Sequence, residues 1–424
     1  MASRTTPDTQ TCRKRHVAQQ NRRSTRITTS TERWATAGTT EKVRLLGLCL
    51  DPCDVLFFRD GRPFAAASYG ESGMPGPQTL AGALYTRLLE QAGCDANGFK
   101  DLGRLIGEGN DFTSAADEVC GAGWIGQVRV RGPWFCRVVQ SRQQVADVFT
   151  PVPATLHQPK SHRGQDRRLV RFDPLEKAIS LPGWAPALPT MRALWSTEHV
   201  ATEPLAGFLT RTGLRVFLEG GVPEVSNDHF LPAEEIFGYD RRTGIGVEAD
   251  RYTAEKGLIY GARFLALKPG MALYAEVALP PAAPVATFSG QQGLPLGGEG
   301  RHVLLQEVEP FGWPDARPRG GQGTLVLLTT PGLFDSSQRG QNWKPVCLDE
   351  HSRLAAAAVA GYLPVSGWNL ATGGPKPNRF AVPAGSVYFL EGTAEDLPSD
   401  CLADNPEDRL QGWGCFVRGV WNDV

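Results

Sequence analysis

Apolar and polar positions along this chain follow two rhythms, and the switches between them mark the elements. Residues 43–50, VRLLGLCL, are a near-continuous apolar run of strand length, the pattern of an inner strand covered by helices on at least one face. In residues 78–93, QTLAGALYTRLLEQAG, Leu80, Leu84 and Leu88 recur at i, i+4 and i+8 while Arg87, Glu90 and Gln91 face away, which predicts an amphipathic helix. Pro77 suits its first position and Gly93 its C-terminal stop. The opening unit is strand, long loop, helix.

From Cys94 to about Phe230 the rhythm is irregular, with one hairpin predicted within GQVRVRGPWFCRVV and a polar loop over residues 157–171, so this stretch reads as an insertion. Order returns at residues 241–267. There Ile245 and Val247 alternate, a polar turn follows, and Leu258, Tyr260, Ala262 and Phe264 alternate again, predicting a long β-hairpin. MALYAEVAL adds a strand, LPLGGEG a glycine loop and RHVLLQEVE another strand. GTLVLLTT reads as a fresh buried strand, and a second domain is expected from about residue 316. An Ala-rich helix near Leu354 and late strands in GSVYFLEG and GCFVRGVW complete an α+β pattern.

The 424 residues allow two or three domains at roughly 150 residues each. Gly 48 and Pro 32 indicate many turns and short strands. Lys+Arg 44 against Asp+Glu 45 excludes a polybasic or polyacidic chain, but the balance is uneven. Residues 1–42 carry a local charge of +6 and leave the remainder at -7. With few aliphatics they cannot offset ordering entropy, and a disordered basic arm is expected. An arm that touches nucleic acid, a transit peptide and an upstream extension from a wrongly assigned start are three readings of it. The third is preferred, because strand character begins abruptly at Val43.

The longest apolar run, residues 354–363, falls short of the ~20 residues that a membrane-spanning helix needs. The cysteines contain no C-x-x-C and no paired His, so structural zinc is not expected and reduced thiols in a cytoplasm are the simplest account. Gly121, Gly123 and Gly126 match G-x-G-x-x-G, yet a β-type stretch follows where a dinucleotide site needs a helix. No P-loop, nucleophile elbow, H-E-x-x-H or calcium loop occurs, and no cofactor is expected. Glu234 and Glu235, read as strand neighbours, would point to opposite faces and form no acid/base pair. His302 follows a glycine loop. It could serve in RNA cleavage, or be a strand-start histidine with ordinary hydrogen bonds.

Three segments carry ligand chemistry. Phe57, Phe58, Arg59, Asp60, Gly61, Arg62, Pro63 and Phe64 place two guanidinium groups around a tight turn between aromatics. Such forks grip phosphate and stack on bases; equally, Arg59 and Asp60 could shape the turn with the phenylalanines as core. In LPLGGEGR, Gly297, Gly298 and Gly300 let backbone approach a ligand closely, with Glu299 and Arg301 beside them, or they form a tight turn between strands. Lys376 and Arg379 lie on a Pro/Gly-stiffened loop leading into a strand.

The order of these pieces, DVLFFRDGRPF, TLAGAL, RRTGIGVE with TAEKGLIY, LGGEGR and PKPNRFAVPAGSVYF, resembles the RAMP superfamily of CRISPR-associated proteins, and most closely the third subunit of type III-B (Cmr) effector complexes. The resemblance covers about Val43 to Trp421. It implies two ferredoxin-like (RRM/RAMP-type) domains, over residues 43–315 with an insertion at about 94–230 and over residues 316–424. It also implies a non-catalytic, cytoplasmic subunit that grips the 5′ handle of the crRNA. Its protein partners would be the large palm-domain (cyclase-type) subunit and the adjacent RAMP backbone subunit.

The RNA-facing residues implied are Phe58, Arg59, Asp60, Arg62, Gly297, Gly298, Glu299, Gly300, Arg301, Lys376 and Arg379. Gly412 and Gly414 in GWGCFVRGVW resemble a second glycine-rich loop of the superfamily. Neither the aromatic signature of ordinary RRM proteins nor a G-G-D-D run is present. A basic loop in the insertion (Lys160, His162, Arg163, Arg167, Arg168, Arg171) is a further RNA candidate or a solvated surface. An endoribonuclease with His302 as base and a purely architectural subunit are the alternatives. Because the body is acidic, the isolated subunit should hold free RNA only modestly and the assembled complex much more tightly. Filter binding at physiological salt checks this, and nanomolar affinity of the isolated chain would contradict it.

Overall fold

A computed structural model of the chain describes residues 43–59, 69–139, 144–160, 168–177, 179, 181–247, 250, 254–284, 288, 290–335, 342–348, 354–369 and 373–424. In chain order its main elements begin with β1 (Arg44–Pro52), β2 (Tyr69–Glu71), α1 (Pro77–Gln91), α2 (Ala96–Gly107), α3 (Phe112–Cys120), β3 (Arg129–Val139) and β4 (Gln144–Pro151). There follow β5 (Phe208–Leu209), α4 (Arg211–Leu218), β6 (Phe230–Leu231), β7 (Phe237–Val247), β8 (Ala254–Leu267), β9 (Met271–Leu279), β10 (Gln292–Pro295) and β11 (His302–Val308). The last are β12 (Gly323–Leu328), β13 (Leu354–Ala358), β14 (Val387–Leu390), α5 (Pro406–Leu410) and β15 (Phe416–Trp421).

Among the described residues, eight strands form one antiparallel sheet in the order β6-β5-β4-β3-β9-β1-β11-β10. Strands β13-β14-β12-β15 form a second antiparallel sheet of four. At the centre of the first, β1 lies between β9 and β11, and β3 lies outside β9. The second repeats this order, with β12 between β14 and β15 and β13 outside β14. Between β9 and β11 the described residues contain no helix. Between β12 and β13 they contain only a short 3-10 turn, Val346–Leu348.

Period-two alternation sends successive residues to opposite faces. Leu48, Leu50, Phe135, Leu273 and Val277 face α1, where Leu80, Leu84 and Leu88 meet them as the i, i+4 spacing requires. Cys49, Trp134, Cys136, Ala272 and Tyr274 face the second sheet, against Leu325, Leu327, Val387, Phe389, Val417 and Trp421. The far side of that sheet is covered too, by the cluster around Val326, Leu328, Tyr388 and Phe416. Burial on both faces is why VRLLGLCL and GTLVLL read as unbroken apolar runs.

Within the seam between the sheets lies an ion pair. Arg131 on β3 and Glu276 on β9 are cross-strand partners, Nη1 to Oε2 3.1 Å, each essentially without solvent exposure. Glu276 Oε1 also accepts from Tyr274 Oη at 3.1 Å and Trp313 Nε1 at 2.8 Å, and Tyr274 Oη accepts from the Phe311 backbone N–H at 2.6 Å. The guanidinium lies 5.8 Å from the Trp134 ring and 5.9 Å from that of Trp313. Burial acts to push the guanidinium pKa down, and the Glu276 charge, joined by Cys415, Cys401 and Asp400, carries it above its ordinary value. Desolvation and the same carboxylate push the Tyr274 phenol up.

Two elements differ from the sequence expectation. The Ala-rich stretch is strand β13, not a helix: its Leu354, Ala355 and Ala356 are buried by pairing with β14, and cross-strand packing overrides the few tenths of a kcal/mol per residue of alanine helix propensity. GQVRVRGPWFCRVV is not a hairpin by itself. It supplies strand β3, whose hairpin partner is β4, and both belong to the main sheet. Residues 1–42, expected to be an arm, lie outside the described residues.

Replacing Glu276 by Ala leaves a buried guanidinium without its counter-charge, which should cost about 3–5 kcal/mol in urea unfolding; a loss below about 1 kcal/mol would contradict the role given to this pair.

Candidate nucleic-acid interface

After β1 the chain turns at Cys53 and Asp54, and residues 55–59 run beside β8. Leu56 exchanges both backbone hydrogen bonds with Leu265, each 2.8 Å. On the other side Phe58 N–H donates to Ser72 Oγ at 2.9 Å, its carbonyl accepts from Gly73 N–H at 2.7 Å, and Arg59 bridges to Ser72. The segment is thereby zipped in place, next to the sheet β7-β8-β2 in which β2 runs parallel to β8.

The glycine loop is the turn of the β10–β11 hairpin, closed by Leu296 N–H to the Arg301 carbonyl at 2.9 Å. Gly297, Glu299 and Gly300 have φ of +84°, +58° and +62°. Glycine is required at 297, where the φ is left-handed and a Cβ would stand 2.4 Å from the Phe57 carbonyl oxygen. Gly298 N–H donates to that same carbonyl at 2.8 Å. The close approach is therefore to the protein's own backbone. The turn and the Phe57–Phe58 segment pin each other.

This junction gathers charge. Arg301 Nη1 donates to Asp54 Oδ2 at 3.0 Å with its guanidinium 4.6 Å over the Phe264 ring. Arg242 donates to the same oxygen at 3.3 Å and to Asp240 at 2.8 Å, its guanidinium 5.1 Å over the same ring. Phe57 packs on Phe264 with centroids 5.2 Å apart. The Val55 backbone N–H, followed by Arg242 and Arg301, holds the Asp54 carboxyl below its ordinary pKa. Arg241 and Arg263 are opposed across β7 and β8, and Arg263 lies 4.0 Å over Tyr239. Guanidinium forks that converge on one carboxylate oxygen have the spacing to converge on a phosphate oxygen.

Arg242, Arg263 and Asp54 were not singled out from the sequence. The signal was present in the Arg-Arg pair of RRTGIGVE, because alternation along the predicted hairpin places Arg242 on the Phe264 face. Several expected contacts are corrected. Phe58 is 4% exposed and belongs to the main core, so it is no stacking platform. Arg379 is engaged bidentately by Asp408, at 2.9 and 2.7 Å, with Asp335 at 3.6 Å. The Lys376 side chain is largely desolvated, which lowers its pKa. Asp60, Arg62 and Phe64 lie outside the described residues.

Among the described residues no hydrogen bond or ion pair joins Lys376 or Arg379 to the glycine turn. They lie on a hairpin whose strands, Leu363–Val365 and Arg379–Ala381, pair in the second half of the chain. The Gln78 side chain donates to the Ser366 carbonyl, which joins this hairpin to the N-terminus of α1. Gln78 is five residues beyond Gly73, at most about 18 Å of extended chain. Exposed Tyr362, Trp368 and Phe380 on the same hairpin were missed, and the isolated aromatics carried no spacing signal.

Gly412 and Gly414, both left-handed, form a buried turn that rests on the Val130 carbonyl. Of the basic loop in the insertion, Arg171 is structural, bound to Asp173 and to the carbonyls of Phe217, Gly221 and Val420. His162, Arg163 and Arg167 lie outside the described residues. Glu234 and Glu235 sit on one short helix, Ala233–Ile236, not on a strand. His302 starts β11 and bonds through Nδ1 to the Gly300 carbonyl at 2.9 Å. Among the described residues no group of three or more His, Cys, Asp or Glu could hold a metal, and no helix is long and apolar enough to cross a membrane.

Residues 48–421 match the family described as CRISPR-associated protein (Cas_Cmr3). The chain belongs to this family. It is thus a CRISPR-associated protein of the Cmr3 family, the assignment to which the order of its motifs pointed. Similar solved chains occur in a type III-B Cmr-beta complex bound to cognate target RNA and AMPPnP, at 16% identity over 81% of this chain and 86% of that one, with a TM-score of 0.45. Another occurs in a Csm1-Csm4 cassette in complex with pppApA, at 12% identity over 82% and 88%, TM-score 0.29. No curated protein matches.

Gly297→Ala forces a Cβ into the Phe57 carbonyl at a left-handed φ, and should lower the thermal midpoint by several degrees, on the order of 1–3 kcal/mol, with the Phe57–Arg59 segment losing hydrogen-exchange protection. Unchanged stability and protection would contradict the pinning.

Proposed function

We propose that this chain is the non-catalytic subunit of a type III-B effector that grips the 5′ handle of the crRNA and docks on the large palm-domain subunit and the adjacent RAMP backbone subunit. The observation that carries this reading is the junction at which the glycine turn is pinned to Phe57 beside Arg301 and Arg242, in a member of a CRISPR-associated family. The RNA-facing set we propose is Arg59, Arg62, residues 297–301 and Arg242. Lys376 is placed at the margin of the surface. Arg379 is given the task of holding α5 through Asp408 rather than that of meeting phosphate.

The repeated strand order supports two ferredoxin-like units, residues 43–315 and 316–424, with their helices reduced or replaced. A cytoplasmic location and the absence of a catalytic role belong to the same reading. His302 is engaged by the Gly300 carbonyl, which suits a turn-stabilising imidazole more than the base of a nuclease.

Recognition would proceed through exchange. A phosphodiester oxygen takes the place of Asp54 between the two guanidinium groups, while Phe264 keeps both planes fixed. Ala at Arg59 and Arg301 should reduce guide-RNA occupancy of the assembled complex and lower the salt slope of RNA binding by about 1 for each phosphate no longer neutralised. Occupancy at the wild-type level in a normally assembled complex would overturn the proposal. Metal-free cleavage of repeat RNA that His302→Ala abolishes would favour the endoribonuclease instead.

A further inference from the structure

The cysteines find a use that the RNA surface does not explain. Cys401 and Cys415 face each other as an isolated antiparallel bridge, with Sγ 2.9 Å from Sγ and both side chains buried. Each backbone is fixed independently. Cys401 N–H donates to Asp400 Oδ1 at 2.9 Å, Cys415 N–H to Thr330 Oγ1 at 2.8 Å, and Leu402 N–H to the Gly414 carbonyl at 2.9 Å. Buried cysteines packed as small apolar groups need no such approach.

A second thiol pair gives the contrast. Cys49 and Cys136 also interact in the seam, but they lie on β1 and β3 with β9 between them. Two strand spacings put their backbones about 9–10 Å apart, beyond the ~7 Å that a disulfide can bridge. Cys401 and Cys415, as direct bridge partners, are within that reach.

We propose that Cys401 and Cys415 are a disulfide-forming pair, oxidised by thiol–disulfide exchange with a small disulfide such as glutathione disulfide. The Cys415 thiolate attacks one sulfur of the oxidant, breaking its S–S bond and releasing one thiol. Cys401 then loses its proton and attacks the mixed disulfide, releasing the second thiol. Two protein thiols become one disulfide, and the oxidant is reduced to two thiols. Roles are set by surroundings. Burial pushes both thiols up, but Cys415 is brought below its ordinary value by the Cys401 thiol and the Arg131 guanidinium, while Cys401 stays well above.

The consequence is felt at α5 and β3. The bond would close the loop that carries α5, whose Asp408 holds Arg379, and the turn at Gly412 and Gly414 that rests on β3.

The test is to refold the full chain from urea in glutathione disulfide, where the buried pair becomes reachable, block remaining thiols with iodoacetamide, and map tryptic peptides without reduction. Cleavage after Arg379, Arg409 and Arg418 separates the two cysteines. The proposal expects residues 380–409 linked to residues 410–418, Cys49 and Cys136 alkylated, and a thermal midpoint several degrees above that of the dithiothreitol-treated protein. Cys401→Ser and Cys415→Ser should each abolish that difference. Should either variant fail to fold, the wild-type peptide map decides: Cys401 and Cys415 both recovered alkylated, or linked to other cysteines, overturns the proposal.

Discussion

Two opposite charges with no access to water, Arg131 and Glu276, sit where the two sheets meet, and the strand register around them depends on their meeting. A buried ion pair recovers its desolvation cost only where geometry is good and further hydrogen bonds complete it. Here Tyr274 and Trp313 supply those bonds, and Tyr274 in turn takes the Phe311 N–H, so the segment leaving β11 is tied to the seam. A slip of β9 by one residue against β3 would turn Glu276 to the helix face, part it from Arg131 and leave each charge buried without the other. The pair thereby specifies the register of β9. Because β1 is hydrogen-bonded to β9 on one side and β11 on the other, it also fixes where the chain emerges at Asp54 and where the turn before His302 lies.

The surface built on that frame is held by competition rather than left open. Arg242 and Arg301 are satisfied by Asp54 before any ligand arrives, and the Phe264 ring below keeps the two planes from collapsing onto other partners. Replacing a carboxylate by a phosphate in such a fork exchanges like for like. The net gain is small and sensitive to salt. With a body charge of -7 outside the first 42 residues, affinity would then come from many modest contacts summed in an assembled complex.

Much of this was legible in the sequence, for physical reasons that differ between elements. The inner strands β1, β12 and β14, the edge strand β15 and the helix α1 announced themselves because burial on two faces or one stripe leaves an unambiguous pattern. The run LAAAA did not, since alanine fits both helix and strand and only its partner β14 decides. The glycine turn was legible as a turn, yet what its glycines approach, the Phe57 carbonyl, depends on residues some 240 positions apart in sequence. Phe58 and Arg379 show the converse limit. An aromatic beside an arginine and an arginine on a stiff loop look alike whether they face a ligand or serve the core and Asp408.

The central claim is that Arg59, the turn at residues 297–301 and Arg242 form one surface for the crRNA handle. Ultraviolet crosslinking of the assembled effector carrying a photoreactive 5′ handle, followed by peptide mapping of this subunit, tests it most directly. The account predicts handle crosslinks concentrated in the peptides that contain Arg59, Arg301 and Arg242. Crosslinks confined to α2, α3 or a neighbouring subunit, with these peptides unmodified, would contradict it.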